Sequence, residues 1–260
     1  QIFCMYLSEE GKTDWLEQSV PYEGRIECSG ATEGMYYDVQ HALEDTLADV
    51  RMDEDGEMRI IGIEGTVSLR INLYEEEELN LLEDLYSLEQ KVSYQTREAV
   101  YEELLLQNQS KCKIVENLSL PELKDDVLQI CHSSGSVQIE HVETRAEKQG
   151  GILIEGILHV SFLYLKADDA LPFGNWQGMV PFSYLLECPD MPKDVRYQLS
   201  NRVEQISVTM TGSDSVEVKA VLDFDVFLRK EVPMQVITEV SLEETDREEL
   251  AKKPGIVGYM

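Results

Sequence analysis

Basic residues are scarce in this sequence. Lys and Arg number 22 against 51 Asp and Glu, a formal net charge of −29 over 260 residues and a pI near 4.3. A binder of nucleic acid or of an anionic membrane surface gains affinity by setting Lys and Arg against phosphates, so this composition argues against both partners. Long apolar runs are missing too. None approaches the roughly 20 residues that span a bilayer, and the greasiest stretch, Gly151-Ile-Leu-Ile-Glu-Gly-Ile-Leu-His159, is interrupted by Glu155 and Gly156. The five cysteines, Cys4, Cys28, Cys112, Cys131 and Cys188, are odd in number and contain no C-x-x-C pair. That favours free thiols in a reducing compartment over a disulfide framework. The opening Gln1-Ile-Phe-Cys-Met-Tyr-Leu7 has neither a basic n-region nor an initiator Met, so it reads as neither a signal peptide nor a natural beginning. We expect a segment of a longer protein.

Signatures of chemistry are equally thin. His41, His132, His141 and His159 form no ligand-spaced pair, and the one Cys/His neighbour pair, Cys131-His132, is expected to point to opposite faces of a strand. We therefore expect no metal site. Asp53-Glu-Asp-Gly56 superficially resembles a calcium loop, but placing Gly56 sixth puts Arg51 first and Gly62 twelfth, which excludes an EF-hand. There is no G-x-S-x-G elbow and no Gly-rich phosphate cradle. His132-Ser-Ser-Gly-Ser136 has suitable residue types for catalysis but reads as a polar loop between strands. With 51 acids, chance carboxylate pairs abound, so a glycosidase reading has nothing specific behind it. No cofactor and no catalytic residue are expected.

What is present is enough apolar residue for a core, at 43%, and a repeat. Val20-Pro-Tyr-Glu-Gly-Arg-Ile-Glu-Cys28 lies over Val180-Pro-Phe-Ser-Tyr-Leu-Leu-Glu-Cys188 at a constant offset of 160. Met5-Tyr-Leu7 matches Leu163-Tyr-Leu165, and the only two tryptophans, Trp15 and Trp176, fall at equivalent places. Arg59 to Arg70 aligns with Val218 to Arg229, both ending in Leu-Arg, and Ile152 to Phe162 is a third copy that shares Ile-Glu-Gly with Ile63-Glu-Gly65. The markers of the repeat are Trp15, Pro21, Tyr22, Cys28, Trp176, Pro181, Phe182 and Cys188.

These segments read as strands. Val67, Leu69, Ile71 and Leu73 alternate with Thr66, Ser68, Arg70 and Asn72, a period of two that puts one face in a core; Leu158, Val160, Phe162 and Tyr164 repeat it. Asp53 to Gly56, Lys148 to Gly151 and Thr211 to Asp214 read as hairpin tips, and the arm Tyr37, Val39, His41, Leu43, Leu47 alternates as well. The expected fold is mainly β, as repeated antiparallel sandwich- or barrel-like modules with a short helical connection. Leu79, Leu82 and Tyr86 place that helix within Glu75 to Tyr86, its acidic start favoured by the helix dipole. Tyr94 to Leu106 fits either a helix or two short strands. The expected organisation is a truncated module at 1–83, a connection at 84–122, a second module at 123–240 and a linker at 241–260.

An ordered series of motifs carries a family resemblance. Leu128-Gln-Ile-Cys-His-Ser-Ser-Gly-Ser-Val137, Ile154-Glu-Gly-Ile-Leu, Leu163-Tyr-Leu165, Pro172-Phe-Gly, Met179-Val-Pro-Phe-Ser-Tyr184 with Glu187, and Val216-Glu-Val-Lys-Ala-Val221 resemble the SPOCS domain of spore coat assembly proteins, the SipL type more closely than the SpoVID type. The resemblance runs from about Tyr6 to Leu228. It implies a non-enzymatic scaffold in the mother-cell cytoplasm of a sporulating bacterium, helping the coat encase the forespore. It further implies a LysM domain after the last repeat, approached by Lys253-Pro-Gly-Ile-Val-Gly-Tyr-Met260, and a coat-basement ATPase of the SpoIVA kind as partner, held mainly by that LysM domain. No partner-binding residue carries over. Two other readings stand beside it: a carbohydrate- or cell-envelope-binding β module stacking sugars on Trp15 and Trp176, and a hydrolase with two carboxylates about 5 to 9 Å apart in one cleft.

Overall fold

The computed structural model describes residues 2–8, 10–78, 80–82, 84–88, 91–146, 150–167, 171–189 and 191–243. Ten strands account for nearly all regular structure: β1 (Ile2–Leu7), β2 (Thr13–Gln18), β3 (Tyr36–Met52), β4 (Met58–Tyr74), β5 (Lys91–Ser119), β6 (Val127–Arg145), β7 (Gly151–Lys166), β8 (Phe173–Glu187), β9 (Val195–Met210) and β10 (Ser215–Glu243). They form antiparallel hairpins β1–β2 and β3–β4 and two three-stranded sheets, β6–β7–β8 and β5–β10–β9. The fold is mainly β, as the alternation predicts. Two compact units divide the chain, a larger one of residues 1–22 and 95–239 and a smaller one of 23–94 and 240–260.

In the larger unit the core follows from the pattern along its two middle strands. Every second residue of β7, namely Ile152, Ile154, Leu158, Val160, Phe162 and Tyr164, is buried, and so are Val216, Val218, Ala220, Leu222, Phe224, Val226 and Leu228 of β10. A middle strand has neighbours on both sides, and these two share one apolar cluster, giving a two-sheet sandwich. Aromatic rings fill its centre. Phe224 meets Tyr184 at 5.7 Å and Phe182 at 6.1 Å between ring centroids, and Phe162 stacks on Trp176 at 5.1 Å. Glycines make room for such rings. Gly156 stands opposite Phe182 across the β7–β8 ladder and Gly174 opposite Tyr164, and a Cβ at either would strike a neighbouring main chain or ring.

The hairpin tips fall where the turn residues put them. Gly56 has φ +85°, the left-handed conformation that favours glycine, and the Asp53 carboxylate accepts the amides of Asp55 and Glu57. Thr211 and Gly212 donate their amides to Ser215 between β9 and β10. Lys148 and Gln149 lie outside the described residues, yet β6 and β7 pair up to Arg145 opposite Gly151. The ambiguous stretch at Tyr94 to Leu106 is strand, part of β5.

Several expectations are corrected. Among the described residues of 75–88 none is helical, and among all the described residues the one helical turn is a 3-10 turn at Pro121–Leu123. Leu79 itself lies outside the described residues. Four successive glutamates repel one another, and a short helix without a packed face is marginal in water. In the smaller unit Val67, Leu69, Ile71 and Leu73 do share one face of β4, but that face is not in a core: Leu69 and Leu73 are exposed. Leu47 does not join the row of Tyr37, Val39, His41 and Leu43, because the register shifts between Leu43 and Thr46. Of the expected linker, 241–243 continue β10 and the rest lies outside the described residues.

Candidate interaction surface

Of the repeat markers in the second copy, three gather on one side of the larger unit's sandwich. Trp176 and Phe182 lie on the same inward row of β8 as Val180, Tyr184 and Leu186, and Cys188 packs against the same cluster. Pro181 projects the other way on β8, an edge strand, where a residue without an N–H is tolerated. The first-copy markers have other surroundings. Trp15 on β2 is half-buried opposite Met5, Pro21 and Tyr22 are exposed, and Cys28 lines a shallow groove of the smaller unit.

The indole of Trp176 is engaged on several sides. One face stacks on Phe162 with the planes 25° apart, the ring overlies Gly178, and its N–H donates to Glu122 Oε1 at 3.1 Å. A sugar-stacking platform needs an indole face open to a ligand, so this packing weighs against the carbohydrate reading at Trp176.

The larger unit also carries a groove of about 920 Å³ where the edge strands β6 and β9 face each other, with Glu17, Cys131, His132, Glu204 and Lys219 among its lining. Cys131 is the extra residue of a β-bulge, since Ile130 pairs with Tyr164 and His132 with Leu163. Strict alternation lapses at a bulge, so Cys131 and His132 both line the groove instead of pointing apart. They do not form a nucleophile and base. The thiol of Cys131 hydrogen-bonds the Gln129 carbonyl at 3.7 Å, and burial pushes it up from its ordinary value, towards the protonated form. His132 stacks on Phe3 at 4.7 Å with Nδ1 3.7 Å from Glu17 Oε1, and Glu204 accepts from Lys111 Nζ at 2.7 Å. Glu204 thus has a cationic partner in Lys111 and Glu17 an imidazole beside it. Among the described residues no group of three or more His, Cys, Asp or Glu is placed to hold a metal ion.

The outer face of β6 and β7 presents a second, polar groove. Ser134 Oγ and Ser161 Oγ are 2.8 Å apart, His159 Nε2 lies 3.1 Å from Gln138 Oε1, and Met179 is exposed beside them. His132 to Ser136, expected as a polar loop, is continuous strand, with Ser134 and Gly135 shared by both grooves.

Two packed β-sheets with inward aromatics define a β-sandwich module. Residues 126–211, which span β6 to β9, match the family described as SipL, SPOCS domain. Over those residues the chain carries a region similar to a SPOCS domain, and that domain is associated with sporulation. No curated protein and no solved structure matches the chain. Among the described residues no helix is long and apolar enough to cross a membrane.

Proposed function

We propose that this chain is a non-enzymatic morphogenetic scaffold of the spore coat, acting in coat assembly or forespore encasement through protein–protein contacts in the mother-cell cytoplasm. The observation that carries the reading is the SPOCS match over 126–211. Two features support it. The net charge of −29 suits attraction to a basic protein surface, and the edge strands β6 and β9 offer backbone groups to an extended segment of a partner. A coat-basement ATPase of the SpoIVA kind is the partner proposed, its contact made mainly by a LysM domain rather than by these modules.

Fluorescence imaging of sporulating cells tests this. A fusion of the full protein is expected to ring the forespore, and deleting 123–240 is expected to leave coat proteins at one pole or in the cytoplasm. A diffuse fusion, or a coat that encases normally after the deletion, would overturn the reading. A purified pull-down then separates contributions: the ATPase retained by the 260-residue chain alone assigns the contact to these modules, and retention only by the full protein assigns it elsewhere.

A further inference from the structure

One face of the β3–β4 hairpin in the smaller unit is apolar and largely open to solvent. Register places Tyr37, Val39, His41 and Leu43 opposite Leu73, Ile71, Leu69 and Val67; after the bulge at Glu44–Asp45 it places Thr46, Ala48 and Val50 opposite Gly65, Ile63 and Ile61, and at the tip Met52 opposite Met58. Cross-strand partners share a face, so the bulge keeps on one side an apolar row that a regular strand would have turned over. Tyr37 is 65% exposed, Leu43 61% and Met52 66%. Charge is excluded here. The chain holds 51 acids, yet none of these paired residues is Asp, Glu, Lys or Arg, whereas the opposite face carries Asp38, Asp49, Arg51, Glu64 and Arg70.

Two strands alone are marginal in water and are stabilised by packing a face against something else. Strands of 17 residues, rising about 3.3 Å each and lying about 5 Å apart, make a face about 50 Å long and about 10 Å wide, on the order of 500 Å². That is at the upper end of what a monomer leaves to water, and two such faces together bury about 1,000 Å², the size at which a specific interface begins. The internal repeat shows how strands of this kind are covered. Ile61, Ile63, Val67 and Leu69 correspond to Ala220, Leu222, Val226 and Leu228, which lie in the larger unit's core between two packed sheets.

The face is suited to a copy of itself. A second chain of net charge −29 is repelled wherever carboxylates face it, and this side of the hairpin presents none. Its two ends are also complementary. A two-fold axis passing between the Leu43–Val67 and Thr46–Gly65 pairs sets the Met52–Met58 tip of one copy over the Tyr37–Leu73 end of the other. That end holds a groove of about 560 Å³ with Ile26, Cys28, Tyr37, Val39, Ile71 and Leu73 among its lining, and flexible thioether side chains are well suited to filling an irregular apolar groove. We infer that two copies of this chain associate through their β3–β4 faces, stacked antiparallel about 10 Å apart as an isologous sandwich.

Sedimentation of the 260-residue chain from about 5 to 500 µM, together with a cross-link, tests this. A concentration-dependent dimer is expected, weakened at least about tenfold by Leu43→Asp and changed less than about twofold by Ser68→Asp on the opposite face. Leu43 is largely exposed, so Leu43→Asp should move the melting temperature of the dilute monomer by no more than about 2 °C. Met52→Cys treated with a short bis-maleimide is expected to give a covalent dimer joining position 52 of one copy to Cys28 of the other, since Cys28 lines the receiving groove. This second variant decides the matter if Leu43→Asp does not fold. A chain that stays monomeric over the whole range would overturn the inference and leave the face to a different protein. So would a dimer that Leu43→Asp leaves intact, or a cross-link from position 52 that maps to a cysteine other than Cys28.

Discussion

Phe182 and Tyr22 hold equivalent places in the repeat and unequal places in the molecule. Phe182 lies against Phe224 and the core cluster, whereas Tyr22 is 66% exposed. Phe224→Ala, at a site with no exposure, is expected to cost about 3 to 5 kcal/mol, Phe182→Ala somewhat less, and Tyr22→Ala within about 0.5 kcal/mol of zero. Urea unfolding checks all three. The buried thiol of Cys112 makes a separate prediction. Burial pushes it above its ordinary 9.0, so the folded state keeps its proton at a pH where the unfolded chain loses it. That contribution to stability is complete below about pH 9 and declines as pH rises through the folded value. Stability measured from pH 8 to 10.5 should therefore fall less steeply in Cys112→Ala than in the parent.

At the scale of elements, the tip of the β3–β4 hairpin depends on one glycine and one carboxylate. Gly56→Ala forces a side chain into the left-handed region and should cost about 1 kcal/mol; Asp53→Ala removes two amide partners and should cost about 1 to 2 kcal/mol. Hydrogen exchange at Met58 to Ile60 and at Val50 to Met52 should rise in both variants, with the β9–β10 hairpin unchanged. Strand type was legible because a period of two is a local property: Leu158 to Tyr164 alternate in the sequence as they do in β7. The bulges were not legible. An extra residue at Glu44–Asp45 or at Cys131 is selected by which face must meet the core or a neighbour, and no local residue pattern states that. The helix expected at 75–86 failed for a related reason. Its spacing of Leu79, Leu82 and Tyr86 suits a helix, but helices of that length depend on a partner surface, and Tyr86 is exposed.

For the whole molecule, charge is the dominant feature. With 51 acids against 22 bases, self-repulsion opposes compaction, and the described ion pairs are chiefly exposed ones such as Lys12–Glu10 and Arg196–Glu231. Raising NaCl from about 50 to 500 mM should therefore raise the melting temperature by a few degrees through screening. A fall would mean that specific pairs, among them the buried Asp223 carboxylate held by Arg202 and Gln109, outweigh the general repulsion. The repeat and strand periodicity by themselves determined the β class and the hairpin tips, since each depends on residue type and near-neighbour spacing, and an ordered series of motifs carried the resemblance to the SPOCS domain. Only the tertiary structure decided which apolar rows are covered. Leu228 and Leu69 lie in matching strands, yet one is buried and the other exposed, because burial belongs to the sheet packed above a strand and not to the strand itself.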